Sequence, residues 1–182
     1  VGAGDPEGLA HDAVGAVDVA GRRNMLTVPA VAALAKSEKL LDLVRLHTGG
    51  SPRPVRAIWF NKSAAANWLV AWHQDLAIAV RERVDVPGFG AWSVKEGVPH
   101  AQPPAEVLQR MLTVRIHLDD ADGENGALRV IAGTHRLGRL SAEQIAALRA
   151  EREETLCVAA AGDALLMRPL LLHASGRSTS RT

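Results

Sequence analysis

The sequence predicts a mainly β fold, a barrel or double-sheet jelly roll with flanking helices. Three observations lead there. Short runs of alternating apolar residues recur along the chain with turn signals between them. Helical spacing is clear in only two stretches. The chain has 182 residues, 47% of them hydrophobic and 23% charged, enough for one domain with a sizeable core.

The elements follow in order. Val14 to Val19 reads as a short strand before Gly21. From Val28 to His47 the apolar residues Val31, Leu34, Leu40, Leu43 and Val44 keep helical spacing, with a phase slip near Ser37-Glu38, so one helix or two short ones fit. Pro29 suits the first turn and Gly49-Gly50 the stop. Val55 to Lys62 and Trp68 to His73 read as strands joined by a turn over residues 64–67, and Leu76 to Arg83 as an extended continuation. Val84 to Pro104 holds four Pro and three Gly, so it is expected to be a long loop. Loops of that length are usually functional, for example as a lid. Residues 103–108 open a helical turn.

Met111 to Leu118 alternates strictly and reads as a strong strand. An acidic turn spans residues 119–126, and Leu128 to Ile131 is the next strand, closed by Gly133-Thr134-His135. Ser141 caps the clearest helix, which runs to Glu154. Thr155 to Ala159, Ala164 to Met167 and Leu170 to His173 are the last strands.

The charge balance is 21 basic against 20 acidic residues, which gives no support for a nucleic-acid or membrane-surface partner. The partner expected is a small molecule, and nothing indicates an oligomeric state. The one cysteine, Cys157, reads as a buried strand residue rather than a reactive thiol, and it points to a reducing, cytoplasmic compartment. No apolar run approaches the roughly 20 residues of a membrane helix. The first residues show no signal peptide and no initiator Met, so the chain is expected to be trimmed.

The chemistry concentrates in His73, Asp75 and His173. On a strand, residues two apart share a face, so His73 and Asp75 would point together. One more imidazole from a distant strand completes a two-His, one-carboxylate set. Such a set leaves coordination positions open and suits non-haem Fe(II). Among the other histidines, His117 and His135 read as structural and His100 as a loop residue. Lys62 and Arg56 are candidates for an acidic ligand or for a solvated edge. Trp68, Trp72 and Trp92 either line a pocket or pack in the core. Asp119, Asp120, Asp122 and Glu124 lack the spacing of an EF-hand and read as a polar turn.

Four ordered segments resemble the phytanoyl-CoA dioxygenase family of Fe(II)- and 2-oxoglutarate-dependent oxygenases. They are Asn67 to Asp75, Arg115 to Asp120, Asn125 to His135, and Gly162-Asp163 leading to His173-Ala174-Ser175. The resemblance covers residues 55–182. It implies a double-stranded β-helix (cupin-like) with a helical flank over residues 1–53 and the core over 54–182, one domain incomplete at both ends. It also implies iron on His73, Asp75 and His173, 2-oxoglutarate and O2 as cosubstrates, and hydroxylation of a small molecule with release of succinate and CO2. Ser175 matches a position whose hydroxyl bonds the far carboxylate of 2-oxoglutarate, Arg115 a position facing that cosubstrate, and Gln74 a supporting role. One feature departs: the family's carboxylate-pairing Arg lies further beyond the distal His than Arg181 does. Either it follows Thr182, which is the expectation, or Arg177 or Arg181 replaces it. Two rival readings remain, a non-catalytic metal-binding or sensing module and a cupin-like isomerase or hydrolase, the latter disfavoured because cupin sites usually present more His.

Overall fold

The computed structural model describes residues 21–62 and 67–179. The expected strand at 14–19, most of the turn at 64–67, and Arg181 lie outside them. The chain forms two compact units, Val1–Phe60 with Ala77–Pro104, and Asn61–Leu76 with Ala105–Thr182. No helix among the described residues is long and apolar enough to cross a membrane.

In the first unit, β1 (Gly21–Arg22) pairs antiparallel with β2 (Trp59–Phe60). The phase slip near Ser37 is a helix boundary: α1 spans Pro29–Ala35 with Pro29 in its first turn, and α2 spans Glu38–Thr48, capped by the Ser37 hydroxyl. Met25 is the buried centre against which Val28, Val31, Ala57 and Trp59 pack. The strand expected at 55–62 survives only as its last paired residues.

The long loop expected at 84–104 is instead part of a three-stranded antiparallel sheet. Its strands are β4 (Ile78–Ala79), β5 (Gly90–Lys95) and β6 (Val98–Gln102), in the order β4-β6-β5. The count of Pro and Gly hid a tight hairpin. Glu96 and Gly97 join Lys95 to Val98 with φ of 49° and 77°, both positive, as a two-residue turn matching strand twist requires. Pro99 is tolerated in the middle strand because it stands opposite Val94, one step beyond the pair that closes the hairpin. Its carbonyl still accepts from the Val80 N–H at 3.0 Å.

The second unit holds two antiparallel sheets. One is four-stranded, in the order β3-β11-β8-β9, from β3 (Val70–His73), β8 (Leu128–Val130), β9 (Thr155–Cys157) and β11 (His173–Ser175). The other pairs β7 (Thr113–Ile116) with β10 (Ala164–Met167). Leu128 and Val130 of the first sheet form one core with Leu165 and Met167 of the second, joined by Cys157 and Leu171. Two sheets sharing an apolar layer make the jelly-roll, double-stranded β-helix architecture; the sheets do not close into a barrel. α3 (Ala105–Arg110) precedes β7. α4 (Ala142–Glu151) begins with a complete capping box, Ser141 and Gln144 each bonding the other's backbone N–H. Its Ile145 and Leu148 cover Trp72, Ile131, Leu140 and Leu172.

The strand expected at Leu170–His173 is displaced. Residues 168–171 turn, with the Leu171 N–H donating to Arg168 O at 2.9 Å, and the strand starts at His173. The apolar run arises from burial, Leu170 and Leu172 both being fully enclosed, and not from extended backbone.

Candidate metal centre

Strand register decides which side chains meet. Leu128 and Val130 point into the layer between the sheets, and their cross-strand partners are Ser175 and His173. Paired residues share a face, so His173 and Ser175 point inward as well. His73 stands opposite His173 and joins them. Its neighbour Trp72 takes the other face and packs beneath α4. On the facing sheet Arg115 is paired with Leu165, a member of the same core, so the guanidinium enters the same space.

Asp75 lies just past the end of β3, not on it, and its N–H is anchored to Pro169 O at 2.8 Å. Gln74, between the two, is buried and turned away. Its Nε2 donates to Gly138 O (2.8 Å) and Leu170 O (2.7 Å), and its Oε1 accepts from Leu140 N–H at 2.9 Å. This one amide ties the β3 end to the turn before β11. Thr134, fully buried, ties the other arm: its hydroxyl donates to Ile131 O and accepts from the Leu172 N–H.

The imidazoles of His73 and His173 stand 4.2 Å apart between ring centres, and His73 Nε2 is 3.9 Å from Asp75 Oδ1. The three residues offer ligand atoms all within 4.8 Å of one another, the one such group of His, Cys and carboxylate found among the described residues. At 3.9 Å the His73–Asp75 pair is too long for a hydrogen bond. Each Nδ1 is already committed, His73 to Ala71 O and His173 to Leu171 O, both at 2.8 Å. A carbonyl only accepts, so each Nδ1 carries the proton and each Nε2 keeps its lone pair. Ligating histidines are commonly oriented by such a bond from their second nitrogen. Burial pushes His173 below its ordinary value and favours the neutral, ligating ring. Two neutral imidazoles and a carboxylate fit a divalent first-row metal such as Fe(II).

Beside this group lies a cationic one. The Lys62 ammonium donates to Ser175 Oγ at 2.7 Å and to Gly176 O, and it sits 5.6 Å from the Trp68 ring centre. Gly126 makes room for it: a Cβ there would stand 2.8 Å from Gly176 O and 3.0 Å from Lys62 Nζ. Burial, with the Arg115 charge nearby, lowers Lys62 to about 8. Burial also lowers Arg115 from its ordinary value. Arg177, two residues past Ser175, is exposed.

The remaining candidates sort as follows. His117 is buried, but the acidic turn does not bond its ring, and Nε2 has no partner among the described residues. The acidic turn closes on itself, Asp122 Oδ1 accepting from the Glu124 and Asn125 N–H groups, so it is a polar turn. His100 lies in β6 with its Nδ1 on Val98 O. Cys157 is half-buried in β9 with its thiol pushed up by burial. The structural roles of Thr134 and Pro169 and the Lys62–Ser175 bond were not read from the sequence. The last joins residues 113 apart, which no local pattern reveals.

Solved structures show the same fold. The carbocyclase SnoK from nogalamycin biosynthesis, described as non-haem and α-ketoglutarate-dependent, is 15% identical (TM-score 0.65), covering 89% of this chain and 58% of its own. EctD from S. alaskensis with 2-oxoglutarate and 5-hydroxyectoine is 20% identical (TM-score 0.70), covering 100% and 65%. Iron-bound HygX from Streptomyces hygroscopicus is 17% identical (TM-score 0.62), covering 100% and 74%. The chain thus spans less than two thirds of SnoK and EctD. No curated protein matches the sequence. The family model of phytanoyl-CoA dioxygenase (PhyH) matches residues 9–182, nearly the whole chain, and the protein belongs to that family.

Proposed function

We propose that this protein is a non-haem Fe(II)- and 2-oxoglutarate-dependent dioxygenase that hydroxylates a small-molecule substrate and releases succinate and CO2. One observation carries the reading: two imidazoles with free Nε2 lone pairs converge with one carboxylate on the inner face of a jelly roll. His73, Asp75 and His173 would hold the metal. When bound, iron supplies the redox chemistry that couples oxidation of 2-oxoglutarate by O2 to oxygen insertion into a C–H bond. The chain's own residues position. The Ala71 and Leu171 carbonyls fix the two rings, Gln74 fixes the approach of Asp75, and Ser175 with Arg115 offers hydrogen-bond donors to the cosubstrate's carboxylate. EctD with 2-oxoglutarate and HygX with iron supply the analogy for both ligands. We assign residues 1–182 to one oxygenase domain, a helical flank over 1–53 and a β-helix core over 54–182. We place it in the cytoplasm, where a lone Cys157 is ordinary.

The test is succinate formed from 2-oxoglutarate with Fe(II) and O2 by the full-length protein, set against His73→Ala. The reading expects release from the first and none above background from the second. Equal release from both would sink it. A metal-binding module on the same fold would bind Fe(II) without affinity for 2-oxoglutarate.

A further inference from the structure

We propose that the second unit carries a further small-molecule site, on the outer face of its four-stranded sheet. There a cavity of about 420 Å³ holds an amino acid with an apolar side chain, its carboxylate on Arg129 and its ammonium on Glu154. The site does not depend on the function proposed above, because it lies on the other side of the sheet from His73 and His173. Leu128 and Val130 of β8 face the shared core, so Arg129 between them points outward, with Leu156 of β9 as its cross-strand partner.

The first argument is space. Gly123, Gly126 and Gly176 line the cavity with Arg129, Glu154 and Leu156. Gly126 must be glycine, since its φ is 79° and a Cβ there would stand 2.8 Å from Gly176 O. Gly123 and Gly176 differ from it, for neither has a positive φ. A Cβ at Gly176 would have nothing within 4 Å, and one at Gly123 would make only an ordinary contact with Leu156, at 3.7 Å. Backbone and neighbours would accept a side chain at both positions, and its absence is what leaves the cavity open. The volume falls in the range of small-ligand sites, roughly 300–1,000 Å³.

Charge makes the second argument. Arg129 Nη1 donates to Glu154 Oε2 at 3.2 Å. A guanidinium has five N–H groups and a carboxylate two oxygens, so this one bond leaves both partners with capacity. Arg129 Nε is buried and has no hydrogen-bond partner among the described residues, a donor that an incoming acceptor would satisfy. A plain anion at Arg129 would be repelled by Glu154 and by the acidic turn that supplies Gly123. A plain amine at Glu154 would be repelled by Arg129. A zwitterion escapes both penalties, since each of its charges meets an opposite one and the ion pair is extended rather than broken. Leu156, 42% exposed, is the apolar wall against which the ligand's side chain would pack.

The experiment measures dissociation constants by calorimetry on the full-length protein. Three probes are used: L-leucine; 4-methylpentanoate, which lacks the ammonium; and 3-methylbutylamine, which lacks the carboxylate. L-Leucine is expected to bind one per chain, and each half-charged probe at least roughly tenfold more weakly, the effect of losing one charge-assisted bond. Arg129→Met and Glu154→Gln are each expected to weaken L-leucine by roughly 10- to 100-fold. Gly123→Val, which keeps both charges and narrows the cavity, should weaken it at least roughly tenfold. His73→Ala, on the other face of the sheet, should leave it unchanged. No binding of L-leucine at millimolar concentration would overturn the proposal, as would an unchanged affinity in any of the first three variants. Binding of 4-methylpentanoate as tight as that of L-leucine would overturn it in favour of a simple anion site. Loss of binding in His73→Ala would overturn it too, by moving the amino acid to the inner face.

Discussion

Two neighbouring groups on the inner face of the second unit are built on opposite principles. At one end, the proposed metal end, His73, Asp75 and His173 bring together neutral rings with fixed tautomers and a carboxylate. At the other, Lys62, Ser175 and Arg115 are donors with no Asp or Glu paired to them among the described residues. Each end is incomplete as protein alone, and each lacks the opposite kind of partner. An acid that chelates a metal at one end and carries a carboxylate at the other would satisfy both. The comparison teaches that the specificity of such a site lies in the pair of ends, not in the metal ligands alone.

The largest effect is expected from breaking the metal end. His173→Ala should abolish succinate release, a loss beyond the roughly 10- to 100-fold that follows removal of a supporting partner. It should leave the fold intact by circular dichroism. Next is Gln74→Leu. It leaves two carbonyls and the Leu140 N–H without their bonds in a buried place, which is expected to cost about 3 kcal/mol in urea unfolding. Iron affinity should fall with it, because the Gln74 amide ties the chain between His73 and Asp75 to the turn before β11.

The cationic end sets a pH dependence. Lys62 titrates at about 8, against an ordinary value of 10.5, because of burial and then Arg115. A carboxylate held beside Lys62 would favour the charged form. Affinity for 2-oxoglutarate should therefore be flat below pH 8 and fall by up to roughly tenfold per unit above it. Arg115 remains charged. Burial pushes His117 and His173 below their ordinary value, so neither ring gains charge in the range where Lys62 loses it. The unliganded protein shows the opposite sign. Above pH 8 the folded state gives up the Lys62 proton before the unfolded chain does, so stability rises toward pH 10.5. Titrating both affinity and melting temperature between pH 7 and 9.5 checks the pair of signs.

The smallest effect tests the other unit. Gly97 has φ of 77° in the β5–β6 turn with nothing within 4 Å, so Gly97→Ala meets strain and no clash. The expected loss is about 1–2 kcal/mol in thermal unfolding, with iron affinity unchanged.

That His73, Asp75 and His173 come together was legible in the sequence because His-x-Asp is local and because ordered motifs surround it. Even there the reason was partly wrong. Asp75 leaves the strand and is aimed by its own backbone bond to Pro169, not by strand alternation. The helix pair and the capped helix were legible for the same local reasons, Pro29, Ser37 and Ser141 acting within one turn of themselves. The sheet at residues 90–102 was hidden because its turn uses a non-glycine residue, Glu96, at positive φ, while the prolines around it signal loop. The Lys62–Ser175 bond was hidden by distance: it joins residues 113 apart, brought together only by the fold.

The most direct measurement is anaerobic equilibrium dialysis of the full-length protein against Fe(II), with iron counted per chain for the wild type, His73→Ala, Asp75→Ala and His173→Ala. The account expects one iron per wild-type chain and a large loss of affinity in each variant. Wild-type stoichiometry and affinity retained in the three variants would contradict it.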